Sequence, residues 1–136
     1  MDLLKLESPE TVTVHIEHPE MGKLYQDDDR NHPITVTVYG PGSRVAVEYD
    51  RQHQRKMARL MAKKGTKALY NLPPEDLEEM SLDRLCAMTA SVDGVEFDGE
   101  YITPETVRRV YANPKLGWLR NQVAAKVASW EEYLGE

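Results

Sequence analysis

Ile34-Thr35-Val36-Thr37-Val38-Tyr39-Gly40-Pro41-Gly42-Ser43-Arg44-Val45-Ala46-Val47-Glu48-Tyr49 is the stretch on which the fold turns. Ile34, Val36 and Val38 alternate with Thr35, Thr37 and Tyr39, the period of a half-buried strand. Gly40-Pro41-Gly42-Ser43 is a turn signal, after which Val45, Val47 and Tyr49 resume the alternation. The pattern predicts an antiparallel hairpin of strands 34–39 and 44–49. Upstream, Val12, Val14 and Ile16 alternate through residues 11–18 until Pro19 stops the run, which adds a third strand and makes a sheet with one face to bury. The segment between, with Gly22, Asp27-Asp28-Asp29 and Pro33, reads as a loop.

Beyond the hairpin the period changes. Asp50 is a suitable N-cap and Gly65 a suitable C-terminal stop for a helix over 51–64. Met57, Leu60 and Met61 gather on one side of it, and Arg51, Arg55, Lys56, Arg59 and Lys63 fan across the other. Leu72-Pro73-Pro74 breaks the chain. An acidic first turn at Glu75 and Asp76 then opens a helical stretch to about residue 90, with Leu77, Met80, Leu85 and Met88 expected to be buried. Asp98-Gly99 predicts a miniature hairpin over 95–102. Thr103-Pro104 caps a short helix that turns Val107 and Val110 inward. Asn113-Pro114 starts a last helix, with Leu116, Leu119, Val123, Val127, Trp130 and Leu134 at three-four spacing.

These elements define an α+β chain: a small N-terminal antiparallel sheet (1–50), then a helical C-terminal region (51–136) with a short hairpin, the seam at Asp50. Its 136 residues are 40% hydrophobic and 29% charged, enough for one core and too apolar for wholesale disorder. Cys86 is the single cysteine, so no internal disulfide framework exists. No run of about 18 apolar residues occurs, and the first residues lack a basic-then-apolar leader, so a cytosolic, non-membrane protein is expected.

The net charge of −6 hides an asymmetry. Residues 51–67 hold seven basic residues and no acid, which leaves ten basic against 23 acidic in the rest. Residues 75–105 carry ten acids against Arg84 alone. The basic helix 51–64 could be a solvated surface helix or could track a phosphate backbone. No aromatic interleaves its stripe, however, and the acidic remainder repels nucleic acid. Its apolar side is thin for a membrane surface. A further reading uses both poles: Arg51, Arg55, Arg59 and Lys63 of one copy meeting Glu75, Asp76, Glu78 and Glu79 of the next. Such a head-to-tail contact builds rings or open spirals.

No enzymatic signature stands out: no Gly-x-Ser-x-Gly elbow, no Walker loop, no Gly-x-Gly-x-x-Gly after a strand. Cys86 sits among Leu85, Ala87 and Met88 as a small core residue would. His15, His18 and His32 with Asp27-Asp28-Asp29 are formally metal ligands, but His15 and His18 point to opposite faces of a strand. No catalytic residue, metal or cofactor is expected.

The order Asp98-Gly99-Glu100, Thr103-Pro104-Glu105, Asn113-Pro114, Trp118-Leu119 and Tyr133, preceded by the apolar helix at Leu85–Ala90, resembles the tail assembly chaperones of long-tailed (lambda-like) bacteriophages. The resemblance spans about fifty residues, 85–134. It departs at Ser91-Val92, where the family pattern places an aromatic before Asp-Gly. The resemblance implies a non-enzymatic assembly factor of the host cell cytoplasm, absent from the mature virion. It would self-associate and coat the helical tape measure protein until tail tube polymerises, with tube protein recruited through a frameshift-extended form. Met57, Leu60 and Met61, or the face near Trp118 and Leu119, are the partner-binding candidates. Core packing is the commoner fate for Trp118 and Trp130. The reading from another class is a small nucleic-acid-associated regulator using helix 51–64.

Overall fold

β1 (Thr11–His15), β4 (Thr35–Tyr39) and β5 (Thr89–Asp93) form an antiparallel sheet with β4 at its centre in the computed structural model, which describes residues 2–7 and 9–129. Register pairs Val12 with Val38 and Val14 with Val36 on one side, and Val36 with Val92 on the other. The period of two then sorts the faces. Val14, Val36 and Val38 are buried, while Thr13 and Thr37 meet hydroxyl to hydroxyl at 3.3 Å on the outer face. Two short antiparallel ribbons flank the sheet: β2 (Glu17–His18) with β3 (Gly22–Lys23), and β6 (Glu96–Phe97) with β7 (Glu100–Tyr101).

The expected second arm of the hairpin is not a strand. Residues 44–49 are the first turns of α1 (Arg44–Lys64), a 21-residue helix. Ser43, buried, accepts the Ala46 amide at 3.1 Å as N-cap, and the Glu10 carboxylate accepts the Arg44 amide at 2.9 Å. Six residues alternating Val-Ala-Val are too few to separate strand from helix, and the end-capping chemistry decides. Asp50, expected to cap the helix and mark the seam, therefore lies inside α1. The slot beside β4 goes instead to β5, read from sequence as the end of a helix. Gly94 (φ +89°) closes that strand where an added Cβ would meet the Pro33 carbonyl at 3.4 Å.

α2 (Lys67–Tyr70) turns the chain into α3 (Pro74–Met88), which runs unbroken through Ser81. α4 (Pro104–Ala112) and α5 (Gly117–Ala128) follow, α5 entered through a short 3-10 turn at Pro114–Leu116. The expected Asp98-Gly99 turn is present, both residues at positive φ as its type demands. The Thr103 amide donates to the Thr106 hydroxyl at 2.7 Å at the start of α4. α3, α4 and α5 cover the apolar sheet face. Leu82, Leu85, Val107, Val110, Tyr111, Leu119 and Val123 join Val14, Ile16, Val36 and Val38 in one core. Of the α3 residues expected inside, Leu85 and Met88 are buried, but Leu77 is 53% exposed and Leu82 takes the inward position. Trp130, Tyr133 and Leu134 lie outside the described residues.

Within the core, the Thr89 hydroxyl donates to the Leu85 carbonyl at 2.9 Å and stands 2.8 Å from the Tyr111 hydroxyl. Burial pushes the Tyr111 phenol up to about 12, with the Thr89 hydrogen bond offsetting part of the rise.

Candidate partner-binding groove

At about 1.5 Å per residue, α1 is roughly 31 Å long, yet Ala46 is its one buried residue. Val45, Tyr49, His53, Met57 and Leu60, spaced by four and three, make a half-buried stripe along it. Tyr49 and His53 stack with ring centroids 6.3 Å apart. Burial, with help from the nearby Asp83 carboxylate, raises the Tyr49 phenol. Gly65, at φ +84°, donates its amide to the Met61 carbonyl at 2.8 Å and ends the helix. The chain then reverses through α2, and α3 returns antiparallel beside α1, pinned at one end by Arg84 and Asp50 at 3.8 Å.

Towards the α2 end the two helices stand apart and leave a groove of about 480 Å³. Met57, Leu60, Ala68, Leu72 and Met80 give it an apolar lining. Lys56 and Lys64 of α1 stand on one rim, and Asp76, Glu79 and Asp83 of α3 on the other. No ion pair among the described residues joins the two rims. Instead Arg108 of α4 binds both Glu79 and Asp83, and its own guanidinium is held still more firmly charged by the Asp83 hydrogen bond.

The expected site residues divide accordingly. Met57 and Leu60 lie in the groove, and Met61 is 39% exposed on the next turn of surface. At the alternative partner face Leu119 is buried in the core, while Trp118 is half-buried with its ring edge-on to His18 at 4.9 Å, and both line a small apolar pocket with Phe97 and Ile102. Among the self-association candidates, Arg51 is paired with Glu48 at 3.2 Å on its own helix. Arg55, Arg59 and Lys63 are exposed, with no carboxylate partner among the described residues. Glu75 and Asp76 are exposed too, but Glu78 is bound by Arg120 and Glu79 by Arg108. Much of the acidic surplus of α3 is thus neutralised within the chain, by arginines that follow the acidic stretch in sequence. Lys64 and Asp83 line the groove without being among the expected site residues, as do Lys56 of the basic fan and Leu72 of the proline break. The Leu72-Pro73-Pro74 break was the available signal, since a chain reversal there lays the basic helix against the acidic one.

The histidines are occupied locally. His15 Nε2 lies 2.8 Å from the Leu24 carbonyl, His18 Nδ1 accepts the Glu20 and Met21 amides, and His32 Nδ1 is 2.7 Å from Asp29. The Asn31 amide, then the His32 ring, lowers the Asp29 carboxyl below its usual range. Among the described residues no group of three or more His, Cys, Asp or Glu is placed to hold a metal, and no helix is long and apolar enough to cross a membrane. Burial raises the Cys86 thiol, which disfavours the reactive thiolate. Compared with models of known families, with curated proteins and with solved structures, the chain matches none.

Proposed function

We propose that this protein is a non-enzymatic phage tail assembly chaperone that self-associates and seats a helix of the tape measure protein in the groove between α1 and α3. The observation that supports this reading most is a long helix with one buried residue, beside an apolar-lined groove that the described residues leave unfilled. Most helices owe their stability to burying an apolar face, and helix-in-groove recognition completes such a face with a partner. Exposed Arg55, Arg59 and Lys63 on one side and Glu75 and Asp76 on the other supply unlike charges for copies arranged head to tail along the rod. In this reading the protein works in the host cell cytoplasm, is displaced before the virion matures, and meets tube protein through a longer form.

Co-expression with the tape measure protein tests it. The wild type should co-purify with that protein and keep it soluble. Met57→Glu with Leu60→Glu should lose the complex at least tenfold while staying folded, because neither side chain belongs to the core. Undiminished co-purification by the folded double variant contradicts the reading. The uncommitted cations on α1 favour a second reading, a regulator that binds a phosphate backbone. Micromolar retention of random DNA that falls steeply with salt would select it.

A further inference from the structure

We infer that the groove reads the direction of the helix it holds. This rests on the helix-binding reading above and adds what the occupant must look like: an amphipathic helix whose apolar stripe is edged by acids on one flank and bases on the other.

The argument is one of symmetry. The apolar lining of Met57, Leu60 and Met80 accepts a stripe of apolar side chains in either direction. The rims do not. Lys56 and Lys64 present two positive charges along α1. Asp76, Glu79 and Asp83 present three carboxylates along α3, of which Arg108 offsets one charge, so the rims are opposite and nearly balanced. A helix laid stripe-down exposes its two flanks to the two rims, and reversing the helix end for end exchanges them. Acids along one flank and bases along the other therefore fit in a single direction, with like charges facing on both rims when the helix is reversed. Exposed pairs of this kind are individually weak, but two on each side together favour one direction about tenfold at moderate salt. Because each copy would face the same way along the rod, directional seating also orders neighbouring copies head to tail with no extra contact.

Three synthetic helices with the same leucine stripe separate the possibilities: one with glutamates on the first flank and lysines on the second, one with these exchanged, and one with glutamine on both. Each carries an N-terminal nitroxide and is added to the 15N-labelled full-length protein. Paramagnetic broadening is read at Asp50–His53, where α1 and α3 meet, and at Ala68–Asn71, at the far end of the groove. The two charged helices should broaden opposite ends, and the glutamine helix both. Lys56→Glu with Lys64→Glu should weaken both charged helices about two- to threefold relative to the glutamine helix and let each of them broaden both ends. If the charged helices broaden the same end, or both ends equally, the directional inference fails while helix binding stands. If none of the three binds, the helix-binding reading falls with it. If the groove amides of Met57, Leu60, Leu72 and Met80 broaden with protein concentration alone in the Arg55→Glu, Arg59→Glu variant, where charge pairing between copies is removed, the occupant is a second copy and the inference is overturned.

Discussion

Val36, Val38 and Val123 expose none of their surface, whereas from Asp50 to Lys64 not one side chain is buried. Both regions use apolar residues at regular spacing, and the difference lies in what covers them. The sheet face is closed by α3, α4 and α5 into one core. Among the described residues, the stripe of α1 is covered by α3 at the Tyr49 end and left open at the Met57–Leu60 end. A fold that closes one apolar face completely and leaves another half-open separates the part that holds the molecule together from the part that meets something else.

That separation can be broken most forcefully in the core. Leu85→Ala should cost about 3 kcal/mol by urea denaturation, since it leaves a cavity where α3 meets the sheet. Leu60→Ala on the open arm should cost under about 1 kcal/mol. Equal losses would mean that the arm is as fully packed as the core.

The next largest effect is alkaline. Tyr111 is buried neutral, so its folded value near 12 lies above the 10.0 of an open chain, and the folded state holds its proton more tightly. The associated stability is fully present below pH 10 and is lost as the pH climbs towards 12, up to about 2 kcal/mol. Tyr111→Phe should flatten that decline at the expense of about 1 kcal/mol at neutral pH, from the lost hydrogen bond to Thr89. A decline of unchanged steepness would place the titrating group elsewhere.

Ser43→Ala should lower stability by about 1 kcal/mol through loss of the α1 cap. Amide hydrogen exchange should quicken in the first turn of α1 while the sheet amides stay protected. The smallest stability effect belongs to Arg55→Glu with Arg59→Glu, within about 0.5 kcal/mol of wild type because both side chains are exposed. Sedimentation at low salt should nevertheless lose any concentration-dependent oligomers. Oligomers that survive the reversal would remove charge pairing from the account.

Much of this was legible from the residues. Val12, Val14, Val36 and Val38 announce their strands by alternation, and Asp98-Gly99 and Thr103-Pro104 announce a turn and a helix start by local chemistry. Residues 44–49 were misread because a short apolar alternation fits both periods, and the Ser43 cap with its Glu10 companion depends on a contact 34 residues away in sequence. β5 was missed for a related reason: Thr89-Ala90-Ser91-Val92 has weak periodicity of its own and becomes a strand because β4 offers it an edge. Met57 and Leu60 were visible as an apolar side of a basic helix. The facing rim was not, because opposing Lys56 and Lys64 to Asp76, Glu79 and Asp83 takes the antiparallel return of α3. Trp118 and Leu119 divide: Leu119 is taken up by the core, while Trp118 packs against it and stays half-buried.

The most direct test of the half-open arm is amide hydrogen exchange with and without saturating tape measure protein. Amides from Met57 to Lys64 should slow at least tenfold on binding, while those of Val36 and Val38, already shielded in the sheet, stay as they were. Exchange on α1 that is indifferent to the partner, under conditions where the two proteins co-purify, would contradict the assignment of the groove as the binding site.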